Sequence, residues 1–403
     1  MRRWGRISSA GVLLVGVGVL AIGTTPAIPA VAASPTVASH QRSAVTEQHS
    51  HKARKTCTAT ADHENAAHTG FSCAALPTRL HQHWRDTLQG QASYPLIVGG
   101  RVFVTSSDPG GSYGGLLYAL SAKTGRKLWG PVPLSGTYFY DALAYGDGRV
   151  FVNDFDGTVR AFRATTGAQV WARTTEDFSG EPVAAGGKVW LQSESTVYGL
   201  DEKTGRITAK SHELDGDGAA VAATAKAVYV STGCRAQYRL GVHAGVKWSD
   251  KQDCSGGGGG TAYVDDGRFY GSDGFLVMNT AHGKVVSTFA GVPAFGPSRA
   301  YFAAGSNLYA QRLSDNAPVW TTHLSGTITD GPIVTSKGVY VATSAGKLVV
   351  LNPATGRRLS RLTLASAPTP GAQYSSTPSD IAAGDASLIV PTGDIVTAYG
   401  AKR

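Results

Sequence analysis

Short runs of consecutive apolar residues recur along the chain, each close to a turn rich in glycine. Four of them share the order β-branched, aromatic, β-branched: residues 102–104, 150–152, 228–230 and 339–341. Short apolar runs bounded by turn residues are typical of strands that are buried on both faces of a sheet. The pattern therefore predicts sheets that are covered on both sides by neighbouring sheets.

These runs belong to a unit that returns about every 40 residues. A turn, often Thr-Gly followed by Trp, marks each unit at Gly125, Gly167, Gly205, Gly245, Gly283, Ala317 and Gly356. The steps between these positions are 42, 38, 40, 38, 34 and 39 residues. Such a period, with four short strands per unit, predicts a β-propeller, because one four-stranded unit cannot bury both its faces without neighbours.

The third unit shows the expected arrangement of strands. We place its strands, from the propeller axis outward, at residues 182–185, 188–193, 196–201 and 206–214. Glycine in the short connections supplies the positive φ that tight hairpins need.

The last unit, from Asp380 onward, has only three strands. Residues 79–88, centred on Trp84, resemble the fourth strands of the other units. We therefore predict that this N-terminal strand completes the C-terminal blade and removes the open edges of a linear array. Counting fourth strands predicts an all-β, eight-bladed β-propeller of four-stranded blades over residues 77–403. Seven blades is the alternative, and residues 293–324 form the most divergent unit.

Residues 1–33 have the features of a signal peptide. Three arginines precede an apolar stretch at 11–23, and small residues follow, so that cleavage at Ala32 or Ala33 is expected. The stretch is shorter than the roughly 20 residues that span a bilayer, which favours cleavage over a membrane anchor. We expect a secreted, extracytoplasmic protein with no stable membrane span. Residues 34–76, rich in Ser, Thr, Ala and His, are expected to be a flexible leader that a Cys57–Cys73 disulfide closes into a small loop.

The four cysteines of an exported chain predict two disulfides. The local pairing joins Cys57 to Cys73 and Cys234 to Cys254, while two other pairings stay open. His63 and His68 lie between the first two cysteines, at a spacing that could hold Zn²⁺. Oxidising surroundings favour the disulfide over this zinc site.

Charge and motifs exclude several function classes. The chain has 37 Lys and Arg against 28 Asp and Glu, a net charge of +9, without a basic run of the kind that binds nucleic acid. The sequence holds no GxSxG elbow, HExxH motif or phosphate-binding loop. We expect a monomer with no nucleic-acid partner.

The repeating unit, V-Y-V-x-(S/T)-x-D-G-x-L-Y-A-L-(D/S)-x-x-T-G-x-x-x-W, resembles that of quinoprotein-like (PQQ-like) propellers over residues 77–403. That superfamily includes pyrroloquinoline-quinone dehydrogenases and BamB-type outer-membrane assembly lipoproteins. The resemblance implies the fold, with Trp and Thr-Gly joining each blade to the next. The sequence differs from the dehydrogenases because it has no Cys-Cys dipeptide. It differs from the lipoproteins because its first cysteine is Cys57.

Alternation of strand direction predicts two unlike faces. The plain face carries the short turns between first and second strands and between third and fourth strands. The loop face carries the other connections, including the insertions at residues 107–115, 136–141 and 366–379. Because binding residues concentrate on variable loops held by a rigid scaffold, we expect the functional site on the loop face.

The aligned positions at the start of the first strands form the candidate binding site. They are Tyr94, Asp141, Glu181, Thr261, Asp330 and Asp380. The hypothesis is that the acids form an arc at the mouth of the central channel that binds Ca²⁺ or a cationic ligand. The alternative is that they are ordinary turn carboxylates. Independently of the acids, Tyr140 and other aromatic residues of the same loops could form a stacking surface for sugars or peptides.

Taken together, these features predict an exported, non-catalytic binding or scaffold module without a cofactor. Its partner would be an exported protein or a cell-wall polysaccharide, bound on the loop face. The alternative is a sugar or alcohol oxidoreductase that uses pyrroloquinoline quinone and Ca²⁺.

Overall fold

A computed structural model describes residues 57–108, 114–136, 141–154, 156–176, 180–251, 259–329, 331–368 and 380–402. In this part of the chain, 32 strands form eight four-stranded antiparallel sheets, arranged as an eight-bladed propeller. The predicted fold class and blade count are confirmed. Among the described residues, the one helical element is a 3-10 turn over Asp62–Glu64.

The first four blades follow one another along the chain, each listed from its innermost strand outward. Blade 1 consists of β2 (Leu96–Val98), β3 (Arg101–Ser107), β4 (Gly115–Ser121) and β5 (Lys127–Leu134). Blade 2 consists of β6 (Asp141–Gly146), β7 (Arg149–Asp154), β8 (Thr158–Arg163) and β9 (Gln169–Thr174). Blade 3 consists of β10 (Val183–Ala185), β11 (Lys188–Ser193), β12 (Thr196–Asp201) and β13 (Ile207–Lys210). Blade 4 consists of β14 (Ala222–Ala223), β15 (Ala227–Thr232), β16 (Ala236–Gly241) and β17 (Val246–Asp250).

The remaining blades repeat the same order, and the last takes its outer strand from the N-terminal side. Blade 5 consists of β18 (Ala262–Asp265), β19 (Arg268–Gly271), β20 (Leu276–Asn279) and β21 (Val285–Thr288). Blade 6 consists of β22 (Val292–Phe295), β23 (Arg299–Ala304), β24 (Asn307–Arg312) and β25 (Pro318–His323). Blade 7 consists of β26 (Ile333–Val334), β27 (Val339–Thr343), β28 (Lys347–Leu351) and β29 (Arg358–Thr363). Blade 8 consists of β30 (Ala382–Gly384), β31 (Ser387–Thr392), β32 (Ile395–Gly400) and β1 (His81–Thr87).

The ring closes through β1, which pairs antiparallel with β32. The register joins His81 to Gly400 and Thr87 to Ile395. The closing strand is therefore the one predicted around Trp84, and blade 8 joins chain segments more than 300 residues apart.

Apolar residues are buried between the blades. In β3, Val102, Phe103 and Val104 are fully buried, whereas the outer strand β9 is exposed except for the half-buried Trp171. Phe103 of blade 1 packs in one cluster with Val150 and Phe162 of blade 2. The consecutive apolar runs in the sequence thus correspond to strands covered by a blade on each side.

Tryptophans of the outer strands connect each blade to the next. The indole N–H of Trp129 in blade 1 donates to the carbonyl of Ala164 at the outer turn of blade 2, at 3.0 Å. A Cβ added at Gly167 in that turn would lie 2.6 Å from the Trp129 ring. The same contact joins Trp84 to Gly125, Trp171 to Gly205, Trp248 to Gly283 and Trp320 to Gly356. The repeated Thr-Gly and Trp residues therefore build the blade interfaces.

Where the tryptophan is missing, the next turn changes as well. Blade 3 has no tryptophan in its outer strand, and a Cβ at Gly245 of blade 4 would meet nothing within 4 Å. Blade 5 lacks it too, and the corresponding turn of blade 6 carries Ala317. The glycine is thus required where an indole ring lies against the turn.

Within the described residues, no helix has the length and apolar character needed to cross a membrane.

Candidate functional site

Residues 57–73, here called the channel loop, run around the inside of the propeller. The loop bonds successively to the innermost strands in blade order. Ala59 pairs with Ile97 of β2, and the Thr60 carbonyl accepts from Tyr145 of β6. Further along, loop carbonyls accept backbone N–H bonds from β14, β18, β22 and β26, in the pairs Ala66–Ala223, Ala67–Val264, Thr69–Phe295 and Gly70–Val334.

The channel loop therefore lies on the propeller axis. Blade 3 is reached through Ala61, which packs in the same apolar cluster as Val183 of β10. Blade 8 is reached at both ends of the loop, because the Cys57 carbonyl accepts from Asp385 and the Ser72 hydroxyl donates to Ala383. Only a segment on the axis can contact the inner strands of all eight blades. The loop fills the central channel and satisfies backbone groups along the free inner edges of the sheets.

A disulfide between Cys57 and Cys73, with Cα atoms 5.4 Å apart, closes the loop into a ring. The sequence assigned residues 34–76 to a flexible leader. In the structure, residues 57–76 belong to the same compact unit as the propeller. The difference arises because the loop is held through backbone hydrogen bonds, which leave no pattern of apolar side chains in the sequence.

Polar side chains of the loop are buried in the channel. The Ala383 backbone N–H donates to the Glu64 carboxyl at 2.6 Å. The two ring nitrogens of His68 lie 3.0 Å from the carbonyl oxygen of Asp62 and 3.1 Å from that of Val221. These contacts tie the loop to the inner strands of blades 4 and 8 through side chains as well as backbone.

Burial sets the protonation of two of these groups. It raises the pKa of the Glu64 carboxyl to about 8, although hydrogen bonds from Ala383 and Ser72 oppose the rise. It also lowers the pKa of His68, against the nearby Asp62 charge. Glu64 therefore favours its neutral form at neutral pH.

Asp62, His63 and Asp380 come together at the loop-face end of the channel. The Nδ1 atom of His63 lies 2.9 Å from Oδ2 of Asp62 and 3.5 Å from Oδ2 of Asp380. Burial alone would raise the pKa of Asp62, but the charge and hydrogen bond of His63 outweigh it and lower that pKa to about 2. The three ligand-type atoms lie within 4.8 Å of one another.

Three of the other predicted site residues make contacts within or between neighbouring blades. Tyr94 is buried, and its hydroxyl exchanges 2.7 Å hydrogen bonds with the backbone of Leu143 in blade 2, so it bridges two blades. The carbonyl of Thr261 accepts from the Ser272 hydroxyl at 2.6 Å. Glu181 pairs through its backbone with Ala220. Of the predicted positions, Asp380 is the one whose side chain joins a three-residue cluster in the described part of the chain.

Several of the predicted positions lie outside the described residues. These are Tyr140, Asp330 and Cys254, together with the side chain of Asp141, whose backbone begins β6. Cys234 is disulfide-bonded. The acidic arc therefore stays a prediction.

Sequence reasoning missed the role of the channel loop. The sequence pattern does not indicate Asp62 or Glu64 as binding residues, and it indicates His63 only as part of a Cys/His zinc site. That set does not form, because both cysteines are in the disulfide and both His68 ring nitrogens face carbonyl oxygens. The available signal was the short spacing of two cysteines around acidic and histidine residues.

A separate cavity of about 560 Å³ lies on the plain face, between turns of blades 2, 3 and 4. Its lining includes Asp147, Lys188, Glu202 and His243. Burial, followed by the charge of Asp147, raises the pKa of Glu202. The cavity is lined by both acidic and basic side chains, and it lies on the face opposite the insertions of the loop face.

Comparison with known families identifies the propeller. The family model described as outer membrane protein assembly factor BamB matches residues 81–139, 114–244 and 248–402. The chain belongs to this family. The BamB-type, PQQ-like repeat thus accounts for almost all of the propeller, whereas the channel loop precedes the matched residues.

Curated relatives match only part of the chain. A stretch of 151 residues is 29% identical to the dehydrogenase subunit of a quinone alcohol dehydrogenase from Gluconobacter oxydans, covering 32% of this chain and 19% of that protein. Another of 155 residues is 26% identical to quinohemoprotein alcohol dehydrogenase ADH-IIG of Pseudomonas putida, covering 33% of this chain and 21% of that protein. The matched segments span about a fifth of the length of these relatives.

Solved structures share the fold across most of the chain. BamB from Moraxella catarrhalis aligns with a TM-score of 0.61 at 16% identity, covering 80% of this chain and 100% of that chain. A europium-containing methanol dehydrogenase aligns with a TM-score of 0.66 at 14% identity, covering 86% and 99%. At this identity the likeness shows the fold alone.

Proposed function

We propose that this chain is an exported, non-catalytic propeller that binds a protein partner through its loop face. The observation that carries the proposal is the channel loop, which fills the axis with the chain's own residues. The remaining variable surface is then the loop face. The BamB-type family supports the proposal, because its description names an assembly factor.

The axial residues do not fit a bound quinone. A planar cofactor in the channel would displace backbone hydrogen bonds to β2, β6, β14, β18, β22 and β26, given above. The loop side chains Glu64 and His68 are at most 1% exposed and already bonded to the inner strands. We therefore derive no reaction through a quinone, even though the curated relatives are quinone alcohol dehydrogenases.

Site-specific photo-crosslinking tests the loop-face proposal. A crosslinker at Glu194, an exposed residue of the β11–β12 turn on the loop face, is expected to capture one defined protein in cells that export this chain. The matched control places the same crosslinker at Lys203, an exposed residue of the plain-face turn of blade 3. Capture from position 203 alone would contradict the proposal, and capture of wall polysaccharide from position 194 would replace the protein partner by a glycan.

A cofactor assay tests the enzymatic alternative. Purified protein is incubated with pyrroloquinoline quinone and Ca²⁺, followed by absorbance and by dye-linked oxidation of alcohols and sugars. We expect neither a cofactor band nor turnover above the cofactor blank. Turnover that needs both quinone and Ca²⁺, and that is lost in Asp141→Ala or Glu181→Ala, would establish the oxidoreductase instead.

A further inference from the structure

The cluster of Asp62, His63 and Asp380 joins two parts of the molecule. Asp62 and His63 belong to the 3-10 turn of the channel loop, and Asp380 lies two residues before β30 of blade 8. Their side chains are 7%, 6% and 15% exposed, respectively. The cluster is therefore buried at the junction between the loop and the blade that closes the ring.

The separations are those of ligands that share one metal ion. Two donors each about 2.1 Å from an ion, at angles of 90–110°, lie about 3.0–3.4 Å apart. The His63 nitrogen lies 2.9 Å from one carboxylate oxygen and 3.5 Å from the other. All three ligand-type atoms lie within 4.8 Å of one another, and an ion bound by them would replace the hydrogen bond between His63 and Asp62.

The cluster also contains a buried acceptor atom without a partner. The second oxygen of Asp62, Oδ1, is buried with no hydrogen-bond partner among the described residues. A buried carboxylate oxygen without a partner is costly, and coordination is one of the few ways to compensate it.

We propose that Asp62, His63 and Asp380 bind one divalent transition-metal ion of the Zn²⁺ class. The donor set of one imidazole nitrogen and two carboxylate oxygens fits such an ion. It is poorly suited to Ca²⁺, which prefers six to eight oxygen ligands. The ion would fasten the channel loop to blade 8, at the end of the channel opposite the Cys57 contact with Asp385.

Metal titration of the full chain tests the site. The protein is freed of metal with a chelator, dialysed against Zn²⁺ or Ca²⁺, and analysed for bound metal and for Tm. We expect one Zn²⁺ per chain and a rise in Tm that grows with zinc concentration, because an ion bound only by the folded state stabilises it. Ca²⁺ should give neither.

Variants locate the ion. Asp380→Asn and His63→Gln are each expected to weaken Zn²⁺ binding at least about tenfold, since even loss of an outer-shell partner costs about 10–100-fold. Asp385→Asn is the matched control in blade 8, because its side chain accepts only from the Gly100 backbone and lies outside the cluster. It should keep the bound zinc. Circular dichroism of each variant before titration establishes that the propeller is folded.

Leader histidines need a separate control, because His40, His49 and His51 could also take up zinc. A triple His→Ala variant at these positions should retain one tightly bound Zn²⁺. Zinc that is lost in this triple variant but kept in folded Asp380→Asn would overturn the proposal. The proposal would also be overturned if the wild-type protein bound less than about 0.1 Zn²⁺ per chain at free Zn²⁺ concentrations that fill the sites of known zinc proteins.

Discussion

At the scale of single residues, the blade interfaces depend on glycines that lie against tryptophan rings. Gly167 has φ +71 and its missing side chain leaves the Trp129 ring in contact with the turn. Gly245 occupies the equivalent turn but faces open space, because blade 3 has no outer tryptophan. The two glycines differ in their surroundings although the sequence repeat aligns them.

Gly167→Ala should therefore destabilise the protein, whereas Gly245→Ala should not. A left-handed backbone costs a non-glycine residue about 1–2 kcal/mol, and crowding against the indole adds about 1–3 kcal/mol. We expect a loss of about 2–5 kcal/mol in the free energy of unfolding for Gly167→Ala, measured by urea denaturation. Equal midpoints for the two variants would show that the Trp–Gly contact does not stabilise the interface.

Asp265 of β18 is expected to give the stability a dependence on pH. Burial, aided by the charge of Asp266, raises its pKa to about 6, while Arg268 acts in the opposite direction. Because the folded-state pKa lies above the unfolded value, the free energy of unfolding falls as pH rises from about 4 to 6, and stays lower above that range. The side chain is partly exposed, so we expect only about 1 kcal/mol.

Asp265→Asn should remove this dependence and raise stability at pH 7. Urea denaturation of wild type and variant between pH 4 and 8 measures the difference. Asp394→Asn, at an exposed turn of blade 8, is the control and should leave the pH profile unchanged. A wild-type stability that rises between pH 4 and 6 in step with Asp265 would contradict the assignment.

At the scale of elements, β1 is the strand that closes the ring. Trp84 is 7% exposed, donates to the Ala122 carbonyl at 2.9 Å, and lies against Gly125 of blade 1. One side chain therefore joins blade 8 to blade 1, in addition to the pairing of β1 with β32.

Trp84→Ala should cost about 3–5 kcal/mol of folding free energy, as expected when a buried aromatic side chain is removed. His81→Ala, at the exposed start of the same strand, should change it by less than about 0.5 kcal/mol. Thermal and urea denaturation compare the two. If Trp84→Ala unfolds at the wild-type midpoint, the Trp84 side chain does not stabilise the contact between blade 8 and blade 1.

At the scale of the whole molecule, the channel loop connects all eight blades from the inside. Its ring is closed by a disulfide between residues 16 apart. Closing a loop of this length in the unfolded chain stabilises a protein by about 3 kcal/mol on the chain-entropy account. The disulfide therefore holds in place the element that fills the channel.

The double variant Cys57→Ala/Cys73→Ala should lose about 3 kcal/mol of stability and expose the loop. Cleavage after Glu64 by a glutamate-specific protease reports exposure, because Glu64 is 1% exposed in the folded protein. Cys234→Ala/Cys254→Ala is the control, and should leave Glu64 protected. Protection of Glu64 in both double variants would mean that backbone pairing alone retains the loop.

Much of the fold follows from the sequence because its signals are local and repeated. The apolar runs mark strands covered on both faces, and the turn glycines mark the blades. The boundaries predicted for β11 and β12 of blade 3, 188–193 and 196–201, agree with the structure. The outer strand of that blade ends at Lys210, four residues earlier than predicted, because an exposed edge strand has no apolar pattern to define its end.

The sequence by itself determined the all-β class, the eight blades and the closing strand, since each depends on side chains that recur at a fixed period. Only the tertiary structure decided that residues 57–73 fill the channel and that Asp62 and His63 meet Asp380. The loop is held mainly through backbone N–H and carbonyl groups, which every residue carries. The cluster joins positions more than 300 residues apart, and their proximity depends on closure of the ring.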